Sequence, residues 1–178
     1  MKEIRILDKK FKEIITEMAI QERIKEIAMQ VNVDYAGKEV VFLGILNGAF
    51  LFAADLIRLI DIKARISFVK LASYEGTSSS GTIKELIGWN EEIKDKTVII
   101  VEDIVDTGHT IERIVDEIVI RKASDIKIAT MLFKPAAYLK DWTLDYIGFE
   151  IPNDFVVGYG LDYNGYGRNL RSIYSLIH

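Results

Sequence analysis

The sequence contains no cysteine. That excludes disulfide staples and thiolate metal sites, and a cysteine-free chain fits a reducing cytoplasm. Long apolar runs are absent too. The longest uncharged stretch, VVFLGILNGAFLFAA, is shorter than the ~20 residues a membrane helix needs, and it carries Asn47 and two glycines. The amino-terminal MKEIRILDKKF mixes both charge signs and has no apolar core of the signal-peptide kind. Basic excess is missing: the net charge is -4, which argues against a nucleic-acid partner. No internal repeat or compositional break divides the chain. What is present, 178 residues of which 49% are hydrophobic, suffices for one core. The expectation is a single soluble cytoplasmic domain, 1–178, with neither membrane nor nucleic acid as partner.

Hydrophobic periodicity supplies the elements. Phe11, Ile14, Ile15, Met18, Ile24, Ile27, Ala28 and Val31 recur at helical spacing and predict one or two amphipathic helices between Asp8 and Val31. Val40 to Leu46 is a continuous β-branched run, hence a buried strand, and GAFLFAADLIRLI after it reads as a helix. Ala64 to Ser73 and TVIIVED are further strands, TIERIVDEIVIRK a helix, IKIATMLFK a fourth strand, and DYIGFEI and DFVVGY two short ones. Such alternation predicts an α/β fold, a mostly parallel twisted sheet with helices on both faces. Ligands of such sheets bind at the carboxyl ends of the strands. Asn47-Gly48, Glu102 to Thr110 and Lys134-Pro135 all fall there, which points to one pocket. The segment Tyr74 to Asn90, which begins rich in Gly, Ser and Thr, leaves a strand at that same end and reads as a functional lid.

The stretch VIIVEDIVDTGHT carries the chemistry. Asp106-Thr107-Gly108-His109-Thr110 joins a strand to a helix whose first turn has unpaired N–H groups and the positive dipole end. Gly108 permits close backbone approach and the threonines add hydroxyl donors, an arrangement suited to a phosphate monoester. An ordinary cap by Asp or Thr explains the turn equally well. Glu102 and Asp103 shift the balance. Adjacent strand residues point to opposite faces, so only one faces solvent, and burying the other unpaired costs several kcal/mol. Sugar hydroxyls, a cation, or a buried Lys or Arg would answer them. A phosphate cradle beside acceptors for a diol suggests a phosphorylated ribose, with Asp106 free to act as a base.

The same stretch resembles the phosphoribosyl pyrophosphate signature of the type I phosphoribosyltransferases. ILNGAF, LASYEGT and GFEIPNDFVVGYGLDYNGYGRNL resemble the hypoxanthine-guanine branch of that family, and the likeness runs from about Val40 to the carboxyl terminus. It implies the type I phosphoribosyltransferase fold, with a small hood built from the terminal segments and a mobile lid over about 74–90. It implies phosphoribosyl pyrophosphate and 6-oxopurine bases as substrates, Mg²⁺ as cofactor, and a homodimer or homotetramer. Glu102 and Asp103 would hold the ribose hydroxyls. Asp106, Thr107, Gly108, His109 and Thr110 would form the phosphate turn, with Asp106 also taking the purine N7 proton. His109 stands where family members often have lysine, and no catalytic role follows for it. Leu46, Asn47 and Gly48 match the pyrophosphate loop, where the family often has a non-proline cis peptide. Asn47 replaces a common lysine, so a side-chain cation contact there is in doubt.

Further roles follow from the resemblance alone. Lys134 would donate to the purine 6-oxo group, Phe155 would stack on the base, and Val156 would offer backbone groups to its edge. Asp162, with Glu102 and Asp103, would support the metal, and Arg168 would contact pyrophosphate. Ser73 and Tyr74 would open the lid. A calcium-loop reading of the Asp162 segment fails because Ile173 stands where glutamate is required. Two other classes compete: a regulator that retains the ribose-phosphate pocket, and a Mg²⁺-binding phosphoacceptor domain. The first needs a basic face. The second leaves Lys134, Phe155 and the lid without roles.

Overall fold

The structure is a computed structural model, and it describes residues 2–72, 84–87 and 91–177. Ten strands and three α-helices are described. In chain order they are β1 (Glu3–Ile6), β2 (Lys9–Ile15), α1 (Glu17–Asp34), β3 (Glu39–Leu46), α2 (Phe50–Ile57), β4 (Lys63–Ala72), β5 (Lys84–Ile87), β6 (Thr97–Val105), α3 (His109–Ile120), β7 (Asp125–Phe133), β8 (Tyr146–Glu150), β9 (Val156–Val157) and β10 (Ile173–Leu176).

The central sheet has the order β5-β4-β3-β6-β7-β8; β5 alone runs antiparallel, to β4. Its strands bury both faces, as a parallel sheet under helices must. Along β3, Val40 and Phe42 join the core shared with α1 and α2, whereas Val41, Leu43 and Ile45 join the core under α3. Along β6, Ile99 and Val101 face the first core, and Val98 and Ile100 the second. The expected α/β architecture is therefore present.

The amino-terminal expectation needs correction. Residues 9–15 form a strand, and the helix starts only after Thr16, whose side chain accepts a hydrogen bond from Ala19 N. Phe11 and Ile15 are buried whereas Lys10, Lys12 and Ile14 are exposed. A spacing of four between Phe11 and Ile15 satisfies a two-residue period as well as a helical one, and Ile14 breaks the helical face. This strand pairs with β1 and with β10 to build a second sheet, β1-β2-β10-β9, the hood. Hydrophobic periodicity predicts neither β1 nor β10. Ser73, Tyr74 and most of the expected lid lie outside the described residues, but β5 is a strand inside the segment read as a loop.

Among the described residues, no helix is long and apolar enough to cross a membrane.

Candidate functional site

The sheet itself makes the cleft. From β3 the chain proceeds outward to β4, and from β6 it proceeds the other way to β7 and β8, so the strand order reverses between β3 and β6. Ligands of open α/β sheets bind at such a reversal. Pairing between β3 and β6 stops at Gly44 with Val101, whereas β6 stays paired with β7 as far as Val105 with Phe133. Glu102 and Asp103 follow Val101 directly. They therefore lie inside a strand that continues to Val105, at the mouth of a split, rather than closing the strand as the sequence suggested. A cleft of about 410 Å³ opens there, with Leu46, Asn47, Gly48, Glu102, Asp103 and Thr110 in its wall.

Neither acid forms an ion pair with a described lysine or arginine. Glu102 is 8% exposed, and its Oε2 is buried without a hydrogen-bond partner among the described residues. Burial, then the charge of Asp103, push the Glu102 carboxyl well above the usual carboxylate range. Burial likewise pushes Asp103 up to about 6, against the hydrogen bond it accepts from Ile104 N at 2.8 Å and the more remote charge of Arg168. The two neighbouring carboxyls act on each other in opposite senses, Asp103 raising Glu102 and Glu102 lowering Asp103.

This geometry costs stability. An acid whose folded pKa exceeds its unfolded value lets the folded state hold the extra proton. Stability then falls as pH rises from about 3.8 through about 6, and the penalty is complete above that window. Asp103→Asn should therefore melt higher than the wild type at pH 7.5, and the gain should vanish near pH 4. Thermal denaturation of the ligand-free protein across that range checks it; equal melting curves at pH 7.5 would refute it.

The turn from Asp106 to Thr110 is built as an open helix end. Gly108 precedes α3 at φ +85°, and no side chain caps the helix. Asp106 and Thr107 thus leave the first-turn N–H groups available. The left-handed conformation favours glycine, and an added Cβ would press on Tyr138 Cε2 at 2.6 Å and Lys140 Cγ at 2.8 Å. Residues 138–140 brace the turn: Leu139 N donates to Thr107 O at 3.2 Å, and Lys140 Nζ pairs with Glu112 Oε2 at 2.7 Å. The sequence reading did not identify that brace, because it is formed from residues distant in the chain.

Lys134 N donates to Val105 O at 3.0 Å, which fixes the end of β7 against the end of β6. The Lys134 side chain, 8% exposed as a residue, places Nζ 3.2 Å from Asp106 Oδ2. Two groups assigned from different parts of the sequence thus meet.

The opposite wall comes from β3. The Leu46–Asn47 peptide is cis, as the resemblance implied. Gly48 is hemmed in: a Cβ there would fall on the Asp103 carboxylate, and a Cβ on Gly160 would fall on Gly48 O. Gly160, absent from the sequence reading, therefore locks the carboxyl-terminal segment onto this loop. Arg168 Nη1 donates to Gly160 O at 2.7 Å, and Nη2 pairs with Asp162 Oδ1 at 2.6 Å. The other Asp162 oxygen accepts from Gly165 N at 2.6 Å. Val156 is buried in β9. Phe155 is 44% exposed, beside Phe11 and Tyr163 of the hood, with Lys9 Nζ 5.9 Å from its ring centre.

Among the described residues, no three His, Asp or Glu side chains converge to hold a metal alone. Glu102, Asp103 and Asp162 nevertheless line the same cleft. That set suits Mg²⁺, which keeps waters and takes one or two carboxylates together with substrate oxygens.

Comparison with known proteins agrees with the geometry. The phosphoribosyl transferase domain family matches residues 11–164. The hypoxanthine-guanine phosphoribosyltransferase of Aquifex aeolicus is 42% identical over 176 residues, 98% of each chain. That of Streptococcus pneumoniae is 42% identical over 163 residues, 91% of each. A crystal structure of the Bacillus anthracis hypoxanthine-guanine phosphoribosyltransferase superposes with a TM-score of 0.86 at 40% identity, covering 94% of this chain and 97% of that one. The split sheet, the acid pair and the Asp106–Thr110 turn all lie within the matched span, and the chain belongs to the phosphoribosyltransferase family, in its hypoxanthine-guanine branch.

Proposed function

We propose that the protein transfers the 5-phosphoribosyl group from phosphoribosyl pyrophosphate to hypoxanthine or guanine, giving IMP or GMP and pyrophosphate, a step of purine salvage. The observation that carries this reading is the Lys134–Asp106 pair at 3.2 Å, beside the two acids of the cleft. On a free oxopurine base, the acceptor O6 neighbours N7, which carries the proton when N9 is the nucleophile. An ammonium can only donate, so Lys134 favours O6 over the amino group of adenine. Asp106 then lies next to N7 and takes its proton as N9 attacks the ribose. Glu102 and Asp103 accept from the ribose hydroxyls, and residues 106–110 hold the 5-phosphate. Leu46, Asn47, Gly48 and Arg168 hold the pyrophosphate, Phe155 and Val156 receive the base, and Ser73 and Tyr74 begin the lid. Mg²⁺ held at Asp162, Glu102 and Asp103 would offset negative charge on the departing pyrophosphate. We further assign the enzyme to the cytoplasm, as a homodimer or homotetramer.

A steady-state assay with phosphoribosyl pyrophosphate, Mg²⁺ and each of hypoxanthine, guanine, xanthine and adenine tests the reading. Hypoxanthine and guanine should turn over, with adenine slower by roughly 10²-fold or more, since it leaves the Lys134 donor unanswered. Folded protein inactive with every oxopurine would overturn it.

A further inference from the structure

We propose that Arg113 binds the diphosphate of phosphoribosyl pyrophosphate as a second guanidinium opposite the residue 46–48 loop. The inference rests on the transfer reaction proposed above and adds to it a residue for which the sequence offered no role.

Arg113 belongs to α3. Arg113 is three residues from Thr110 and four from His109, so it lies on the helix face beside both, and all three line the cleft. Leu46, Asn47 and Gly48 line it from the β3 side. Arg168 is the other described guanidinium in the wall, and its charge is already answered. Asp162 Oδ1 holds one of its nitrogens at 2.6 Å, and Gly160 O takes a hydrogen bond from the other at 2.7 Å. Asn47 is neutral. Lys134 is engaged by Asp106.

Arg113 differs from these groups. It is half-buried, and it makes no hydrogen bond or ion pair with any described residue. Its chain neighbour Glu112 is taken by Lys140 at 2.7 Å and does not neutralise it. The cleft's own Glu102 and Asp103 do not pair with it either, although they lie in the same wall. A guanidinium held partly out of water, unpaired, in a cleft that must take a polyanion is suited to bind that anion. Its planar fork presents two parallel donors to phosphate oxygens, which a lysine cannot reproduce. The 5-phosphate end is already served by the N–H groups of the open α3 terminus, so the diphosphate is the group in need of charge.

The test uses the full chain with Arg113→Ala and Arg113→Lys. Four quantities are read: KM for phosphoribosyl pyrophosphate, KM for hypoxanthine, and the inhibition constants of pyrophosphate and of IMP. Loss of one charge-assisted contact should raise the phosphoribosyl pyrophosphate KM and the pyrophosphate constant in the alanine variant by about 10- to 100-fold. The hypoxanthine KM and the IMP constant should stay within about threefold, and the lysine variant should recover part of the loss. An unchanged pyrophosphate constant would overturn the proposal. So would an equal loss for IMP, which would move Arg113 to the 5-phosphate. Wild-type protein that neither turns over nor binds pyrophosphate would instead refute the transfer reaction itself, so the two failures are distinguishable.

Discussion

Asp106→Asn should fold, bind both substrates, and turn over about 10²–10⁴-fold more slowly than the wild type. Asparagine keeps the shape of the side chain, and the turn that carries it is fixed by backbone contacts, Lys134 N to Val105 O and Leu139 N to Thr107 O, that the substitution does not touch. What disappears is the base that the proposed reaction places at the N7 edge of the purine. The carboxylate is well placed for that role: its side chain is 46% exposed, and one oxygen lies 3.2 Å from Lys134 Nζ. In the proposed reaction, that pairing aims the carboxylate at the same purine edge as Lys134. Pre-steady-state measurement of the chemical step, with KM for each substrate, separates the alternatives. A fall in the rate of that step with both KM values within a few-fold places Asp106 in proton transfer. Near-normal turnover would remove it from the mechanism.

The chemistry of this site was legible because its groups are consecutive in the chain. Glu102, Asp103 and the Asp106 to Thr110 turn come from a single strand-turn-helix unit, and apolar runs on either side mark the unit's boundaries. The pairing of Lys134 with Asp106 was inferable only as a shared sheet end. Other parts depended on contacts between segments far apart. Phe11 and Ile15 fit helix and strand alike, and only pairing with β10, at the other end of the chain, decides for a strand. The acids extended β6 past the point where charge would ordinarily end a strand, because pairing with β7 continues on one side after pairing with β3 has stopped. Arg113 falls in the helix TIERIVDEIVIRK, with no role assigned to it from the sequence. It becomes a cleft residue because α3 packs its Ile111, Ile114, Val115 and Ile118 face on the sheet and turns Thr110 and Arg113 toward the split.

The second large effect concerns a residue with no side chain. Gly48→Ala should lose about 10²-fold or more in turnover and should melt below the wild type. The added methyl group would occupy the position of the Asp103 carboxylate, and Gly48 O is itself pressed against the backbone of Gly160. The loop has acids on one side and the carboxyl-terminal segment on the other, so it cannot step aside without moving one of them. Moving Asp103 breaks its hydrogen bond from Ile104 N and shifts the acid pair proposed to hold the ribose; moving Gly160 shifts Arg168, whose guanidinium rests on Gly160 O at 2.7 Å. A displacement of about 1 Å in a positioning group is enough for such a loss. Gly37→Ala is the control. Gly37 has a positive φ, +75°, which Gly48 does not, and an added Cβ there meets nothing within 4 Å; Gly37 is absent from the cleft wall. It should lose stability for conformational reasons and keep its turnover. If Gly48→Ala also kept its turnover, the close seating of Asp103 against this loop would be incidental to the reaction. Loss in Gly48→Ala alone would show that the loop and the acids act as one unit across the split between β3 and β6.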